Sequence, residues 1–492
     1  MATHTVELIA NEGIFQGLAK QNMLFHQCIG ELIDNAIAAR KSDKPFKIDV
    51  FLNRNNGDTE TVNLYICDNC KGMELESLKR ALQLGQIAPE GDRLNEHGFG
   101  LKNALATLSG GNGYWKMWTR TLSDSNICSV EGPFGPNMTI EDDDSFPEED
   151  FLSIDISTLI NVTVKMSFVQ TVQGRGAPSH DLSRLREWLI EHLGVLYRGY
   201  LEQDKNGEID GTISIYIGND AARVPPVQVP LGNKEVKYFN VELSGKVERL
   251  EYHYGTLDSV KRDQLIRGQK AKFYYQGNQP TQGIDIRLDK RVIATKQFEH
   301  IWKTDDGANQ LSRHNTYNDF LGELIIPELK RGVLTTINNK TDFNLDDPDW
   351  MKVFEELNKI RPPKDIRQKS EAALRKKWID MLKATNPEDE ISDHVTVWPT
   401  GTRIDVYRKI RKKDIIIYEI KVGTGSPIDL YQLKMYWDGL VLNGEHPKEG
   451  VLLVEDFHTN LEEMANRMNT LPPPEGSRPY NLKIAKHADK AL

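Results

Sequence analysis

Glu31 and Asn35 stand four residues apart in the stretch Glu31-Leu32-Ile33-Asp34-Asn35-Ala36-Ile37-Ala38-Ala39. On a helix that spacing stacks the two side chains on one face. A carboxylate beside a carboxamide can hold a water and a hydrated Mg²⁺ side by side, the pairing that nucleotide hydrolysis requires. Taken alone, the stretch reads equally as the solvated edge of an ordinary helix. Asp68-Asn69-Cys70-Lys71-Gly72-Met73 places a carboxylate ahead of a glycine that lets backbone approach a ligand, which suits recognition of a base amino group. An Asp-Asn turn with a glycine is also a plain loop. In His97-Gly98-Phe99-Gly100-Leu101-Lys102 two glycines open a helix, exposing N–H groups and a positive dipole end to phosphate, with Lys102 adding charge. No G-x-x-x-x-G-K-[ST] occurs in the sequence, which excludes a P-loop.

A second group of charges lies near the C-terminal end, where Asp405 precedes Glu419-Ile420-Lys421. Two residues apart on a strand, Glu419 and Lys421 share one face. Charges on a strand this rich in β-branched residues are costly unless exposed or engaged with ions, so an exposed edge strand is the plainer alternative.

The elements that must position these residues follow from periodicity. Leu24, Phe25, Cys28, Ile29, Leu32, Ile33, Ala36 and Ile37 recur every three to four residues and predict one amphipathic helix. Phe46 to Leu52 and Thr61 to Cys67 alternate as strands around the turn Asn55-Asn56-Gly57-Asp58, and helices are expected from Leu75 to Leu84 and Leu182 to Leu196. Strands are expected at Thr212 to Ile217, across Gly283 to Ile293 with a turn, and at Phe320 to Ile326. After Arg361-Pro362-Pro363-Lys364 comes a helix with Leu374, Trp378, Ile379 and Leu382 on one side. A hairpin (Thr402 to Tyr407 and Ile415 to Val422), a helix carrying Gln432 to Tyr436 and the strand Val451 to Val454 complete the order helix, strand, strand, helix, strand, and a last strand is expected near Leu482 to Ala485.

At 492 residues the chain should divide into about two to four domains. Its formal charge of −10 argues against a generally basic surface, so any nucleic-acid contact must come from local patches such as Arg408, Lys409, Arg411, Lys412 and Lys413. The acidic run from Glu141 to Asp150 would repel DNA. No apolar run spans a bilayer and no signal peptide is evident, so a cytoplasmic protein without membrane contact is expected. Four cysteines give no disulfide framework; Cys67 and Cys70 form a lone C-x-x-C without the second pair that zinc would need, and are read as reduced thiols in the wall of a site.

Taken in order, the first three motifs resemble those of the GHKL ATPases, the gyrase, heat-shock chaperone, histidine-kinase and MutL group. Glu31 to Ala39 is similar to the E-L-x-D-N-A helix, Asp68 to Met73 to D-N-G-x-G-M, and Gly98 to Ala104 to the glycine-rich end of the ATP lid. The resemblance implies Glu31 as general base, Asn35 as Mg²⁺ ligand, Asp68 as the adenine contact, Gly72 and Met73 at the base pocket, and Gly98, Gly100, Leu101 and Lys102 at the phosphates. Cys70 replaces the first glycine of D-N-G and Ala38 a frequent second aspartate, which implies tuning of the adenine pocket rather than loss of ATP. Thr158 and Thr163 both qualify as the supporting threonine. A lid between Gly85 and Asn95 should be mobile without nucleotide.

The following region resembles the transducer domain of the MutL and MORC branch. There Ile337-Asn338-Asn339-Lys340-Thr341-Asp342-Phe343 looks like the MORC loop whose lysine, here Lys340, reaches the γ-phosphate. The last region resembles the PD-(D/E)xK nucleases, and Gln432-Leu433-Lys434-Met435-Tyr436 looks like the Q-x-x-x-Y motif of RecB-like members. That resemblance implies Asp405 and Glu419 as ligands of Mg²⁺ or Mn²⁺, Lys421 as the group orienting the attacking water, Glu371 as an additional ligand, and Gln432 and Tyr436 as support.

The expected fold class is therefore α+β and multidomain: a GHKL (Bergerat) α/β sandwich over residues 1–180, a transducer domain over 181–363 and a PD-(D/E)xK α/β core over 364–492. The expected function is an ATP-gated dimeric DNA clamp with a metal-dependent endonuclease, resembling prokaryotic MORC-like proteins. Its partners would be DNA, a second copy of the chain and, by analogy with restriction and antiviral defence, a protein of the same system. A clamp whose last domain binds DNA without cutting is the alternative. A GHKL signalling kinase fits less well, since no receiver or phosphoacceptor module is evident.

Overall fold

A computed structural model of the chain describes residues 13, 17–20, 22–54, 58–86, 94, 98–121, 126–143, 145–147, 155–174, 176–302, 311–336, 343–344, 346–363 and 366–487. The chain falls into two compact units, residues 1–363 and 364–492. Among the described residues no helix is long and apolar enough to cross a membrane.

In the first unit eight strands form one sheet: β1 (Phe46–Asn53), β2 (Thr61–Asp68), β3 (Trp115–Thr119), β4 (Ile127–Glu131), β5 (Ile140–Asp143), β6 (Thr158–Lys165), β7 (Gly211–Ile217) and β8 (Asp220–Arg223). Their order is β5-β4-β3-β6-β2-β1-β7-β8, antiparallel throughout except for the parallel pair β1 and β7. Buried Val62, Leu64 and Ile66 alternate along β2 with partly exposed Thr61, Asn63 and Tyr65, the period of a sheet with one face packed on a core. Helices α1 (Phe25–Ala38), α2 (Leu75–Leu82), α3 (Gly100–Leu108) and α4 (Leu182–Leu196) accompany this sheet. Ile29 and Ile33 of α1, Leu105 of α3 and Leu189 of α4 share one apolar cluster with Leu64, Val162 and Ile213 of the strands. Helix α2 contributes only Leu78 to the interior. Since β7 and β8 lie in this sheet, it runs on past residue 180.

A second sheet comprises β9 (Leu231–Leu243), β10 (Lys246–Leu257), β11 (Gly283–Leu288), β12 (Arg291–Gln297) and β13 (Phe320–Ile326), in the order β12-β11-β13-β10-β9. Helix α5 (Pro348–Asn358) packs Trp350, Val353, Phe354 and Leu357 into one cluster with Leu250, Ile286 and Leu324. Arg198, on the one-turn helix Arg198–Leu201, is fully buried and donates from Nε to Glu323 at 2.8 Å, from Nη2 to Asp285 at 3.0 Å and from Nη1 to the Tyr275 hydroxyl at 2.8 Å. A guanidinium inside a protein is tolerable only with its donors satisfied in this way.

The second unit begins with α6 (Ile366–Thr385) and contains β14 (Glu390–Thr396), β15 (Arg403–Ile410), β16 (Asp414–Ile420), α7 (Pro427–Leu442), β17 (Pro447–Val454), α8 (Thr459–Met468) and β18 (Leu482–Lys486). The strands form a sheet in sequence order, antiparallel from β14 to β16 and parallel from β16 to β18. Leu430, Leu433 and Trp437 of α7 and Leu461 of α8 join one apolar cluster of this unit, and Trp378 and Leu382 of α6 join another. Two elements beyond the expected order, β14 and α8, complete it.

Candidate functional site

In the first unit a cavity of about 280 Å³ is lined by Leu32, Asn35, Ala36, Ala38 and Ala39 of the α1 segment, by Asp68, Gly72 and Met73, and by Gly98, Gly100, Leu101 and Lys102. The three sequence motifs are thus brought to one place. Glu31 is only 2% exposed and does not line the cavity. It lies behind Gly100, where an added Cβ would sit 2.1 Å from Glu31 Oε2. A side chain at position 100 would therefore push the Glu31 carboxylate out of its place against the first turn of α3. Asn35 Nδ2 is buried and makes no hydrogen bond among the described residues. Its carbonyl oxygen is the kind of donor that Mg²⁺ takes.

Asp68 ends β2 directly opposite Thr158 of β6. Its Oδ1 accepts the Cys70 N–H at 2.9 Å, and burial nevertheless pushes its carboxyl up to about 6. Gly72 adopts φ 67°, and a Cβ there would meet the Arg120 carbonyl at 1.8 Å. Gly98 likewise has φ 67° and packs against the Gln86 carbonyl. The next turn is pinned by Met73 N–H, which donates to Thr119 Oγ1 at 3.0 Å; that hydroxyl lies 3.1 Å from Thr158 Oγ1. Thr158 lines the cavity, whereas Thr163 hydrogen-bonds to Asn63. The geometry therefore selects Thr158. Cys67 and Cys70 are buried free thiols, and neither lines the cavity.

Lys102 lines the cavity but is 2% exposed, and its ammonium donates at 2.9 Å to both the Ala81 and Gln83 carbonyls at the end of α2. Burial depresses its pKa to about 8. The sequence reading passed over Ser77, Arg80 and Ala81 of α2, which also line the cavity. Their spacing of three and four residues, which marks one helical face, was the available signal. Lys340 lies outside the described residues, as do positions 87–93 and 95 of the lid.

In the second unit, β15 and β16 bring Asp405, Glu419 and Lys421 together. Lys421 Nζ lies 2.7 Å from Glu419 and 3.1 Å from Glu371 of α6. Asp405 accepts the Ile420 N–H at 2.9 Å and the Arg375 guanidinium at 3.1 Å. Glu419 is 1% exposed; its burial and the neighbouring Asp405 push its carboxyl up to about 8. Burial opposes the charge on Lys421, but Glu419 and Glu371 outweigh it and raise the lysine pKa. Gln432 Nε2 donates to the Tyr436 hydroxyl at 2.6 Å on the adjoining helix. Arg375 was missed, although it stands one helical turn from Glu371. The oxygen-only donors suit Mg²⁺ or Mn²⁺. Among the described residues, however, no three His, Cys, Asp or Glu side chains are grouped to hold a metal. In the basic hairpin Arg408 pairs with Asp389 at 2.6 Å and Lys409 with Glu445 at 3.5 Å.

Residues 23–127 match the family described as Histidine kinase-, DNA gyrase B-, and HSP90-like ATPase. The match covers that stretch alone and supports a GHKL-type ATPase domain there, a class that binds and hydrolyses ATP, typically with Mg²⁺. No curated protein matches the chain.

Lys102 gives a pH test of this geometry. Its folded pKa of about 8 lies below the ordinary 10.5, so between those values the unfolded chain holds more protons and raising the pH adds stability. Relative to Lys102→Met, the wild type should gain on the order of 3 kcal/mol across that window at about 1.4 kcal/mol per pH unit. Urea unfolding at stepped pH measures it. A constant difference between the two proteins would show that the lysine is not buried as described.

Proposed function

We propose that the chain is an ATP-hydrolysing, ATP-gated dimeric DNA clamp with a metal-dependent endonuclease domain, acting in the cytoplasm in restriction or antiviral defence. Its parts would be a GHKL domain (1–180), a MutL/MORC-type transducer (181–363) and a nuclease-like domain (364–492). The ATPase half rests on one observation above all: Glu31 is buried against Gly100 beside a cavity that Asn35 and Asp68 line.

In this reading Asp68 accepts a hydrogen bond from the adenine amino group, and the N-terminal turn of α3 with Gly98 and Gly100 holds phosphate. Glu31 accepts the proton of the attacking water. Mg²⁺ held by Asn35 would neutralise charge on the transferring phosphoryl group. Lys340 contacts the intact triphosphate and loses that contact on hydrolysis, which couples nucleotide state to the transducer and to opening of the dimer.

For the nuclease half, convergence of Asp405, Glu419 and Lys421 supports cleavage of a phosphodiester. A metal held by Asp405 and Glu419, with Glu371 nearby, would polarise the scissile phosphate. Lys421 would orient the attacking water. A non-cleaving DNA clamp is favoured by a specific feature: Lys421 and Arg375 already neutralise the site carboxylates.

Glu31→Ala should retain nucleotide binding while ATP turnover falls by about 10²–10⁴-fold, as expected for loss of a general base; unchanged turnover would refute the assigned base. Plasmid DNA incubated with Mg²⁺ or Mn²⁺, with and without ATP, should be cut by the wild type and spared by Lys421→Ala. Cutting by that variant would sink the nuclease site, and an inert wild type would favour the clamp.

A further inference from the structure

Asp34 lies on α1 between Glu31 and Asn35, yet it does not line the cavity and is fully buried. A carboxylate inside a protein requires charged or hydrogen-bonding partners. Two come from residues after position 180. Arg291, the first residue of β12, donates from Nε to Asp34 Oδ1 at 2.9 Å and Oδ2 at 3.2 Å. The Tyr197 hydroxyl lies 2.8 Å from Asp34 Oδ1 and 2.7 Å from the Gly30 carbonyl, sharing its one proton between the two acceptors. The Arg291 guanidinium also stands over the Tyr197 ring at 5.3 Å, and its Nη1 donates to the Val292 carbonyl at 2.5 Å. Burial works against the arginine charge, but Asp34 and Tyr197 more than compensate.

Gly30 completes the arrangement. A Cβ on it would lie 3.5 Å from the Tyr197 hydroxyl and 3.9 Å from Arg291 Nη2, so both side chains pass beside this turn of α1 at van der Waals distance. The contacts fall at residues 30 and 34, straddling Glu31 and immediately preceding Asn35. They hold the turn of helix from which Glu31 and Asn35 project. Rotation or sliding of β12 or Tyr197 relative to the first sheet must break charge-assisted hydrogen bonds in a dry interior or carry the helix with it.

We infer that Asp34, Arg291 and Tyr197 form a strut through which the second sheet positions Glu31 for ATP hydrolysis, with Arg291 and Tyr197 as positioning residues. This rests on the reading of Glu31 as the general base. A shift of the base by about 1 Å can cost on the order of 10²-fold in rate, so the strut acts on turnover rather than on nucleotide affinity.

The test uses the full chain. Tyr197→Phe retains the ring and removes only the hydroxyl. The double variant Asp34→Asn/Arg291→Gln removes both charges together and so leaves neither uncompensated. Each is compared with wild type and Glu31→Ala in ATP turnover and in binding of a non-hydrolysable ATP analogue. The strut predicts kcat lowered about tenfold or more in the double variant and severalfold in Tyr197→Phe, with analogue affinity within about twofold of wild type. Wild-type kcat in both variants, with Glu31→Ala inactive, overturns the strut alone. Wild-type kcat in Glu31→Ala overturns the reading beneath it. Parallel loss of kcat and analogue binding in Tyr197→Phe also overturns the proposal, because it indicates general damage to the cavity rather than positioning.

Discussion

A carboxylate on the buried side of an apolar helix is the constraint on which the first unit depends. Glu31 shares α1 with Ile29, Leu32 and Ile33, all in the core, and is itself almost wholly removed from solvent. Such a group is costly without compensation. Its placement is possible because Gly100 lacks a side chain, so the opening turn of α3, with its exposed N–H groups and positive dipole end, comes directly against Oε2. The apolar stripe of α1 fixes the helix on the sheet, and that fixes the carboxylate against α3. The cavity beside them then follows from where β2 ends, at Asp68, and β6 begins, at Thr158.

The same logic extends to the charges farther along the chain. Arg198 joins Glu323 and Asp285 inside the second sheet region, and Arg291 joins Asp34 of α1. Each is a charge whose removal alone would leave a buried counter-charge, so the arrangement favours one relative placement of the elements it links. In the second unit the requirement is met differently. Glu419 and Asp405 are neutralised by Lys421 and Arg375, and Glu371 shares the lysine.

Much of this was legible in the residues. The period of α1, the alternation of β2 and the glycines before α3 each follow from local rules that the structure obeys. The pairing of Asp68 with Thr158 was not, because choosing between Thr158 and Thr163, which five residues apart point to opposite faces of β6, requires the register of β2 on β6. The long hairpin β9–β10 was hidden for a different reason. Lys234 to Tyr238 are exposed, so charge obscures the alternation, and only the Ser244-Gly245 turn, with φ 47° and 80°, marks it. Strand β14 is an edge of its sheet and correspondingly polar. Lys102 shows the limit for side chains: its type suggested phosphate, while its ammonium caps the carbonyls that end α2.

The central claim, that the cavity between α1, β2 and α3 receives the adenine nucleotide, is tested most directly at Asp68. Asp68→Asn preserves shape and an acceptor for the Cys70 N–H, but it sets an amide donor against the adenine amino group. Calorimetry with a non-hydrolysable ATP analogue should find binding to the wild type weakened about 10–100-fold in the variant, the scale of a mispaired buried donor. Equal affinity in a variant with unchanged circular dichroism would contradict the placement of the nucleotide in this cavity.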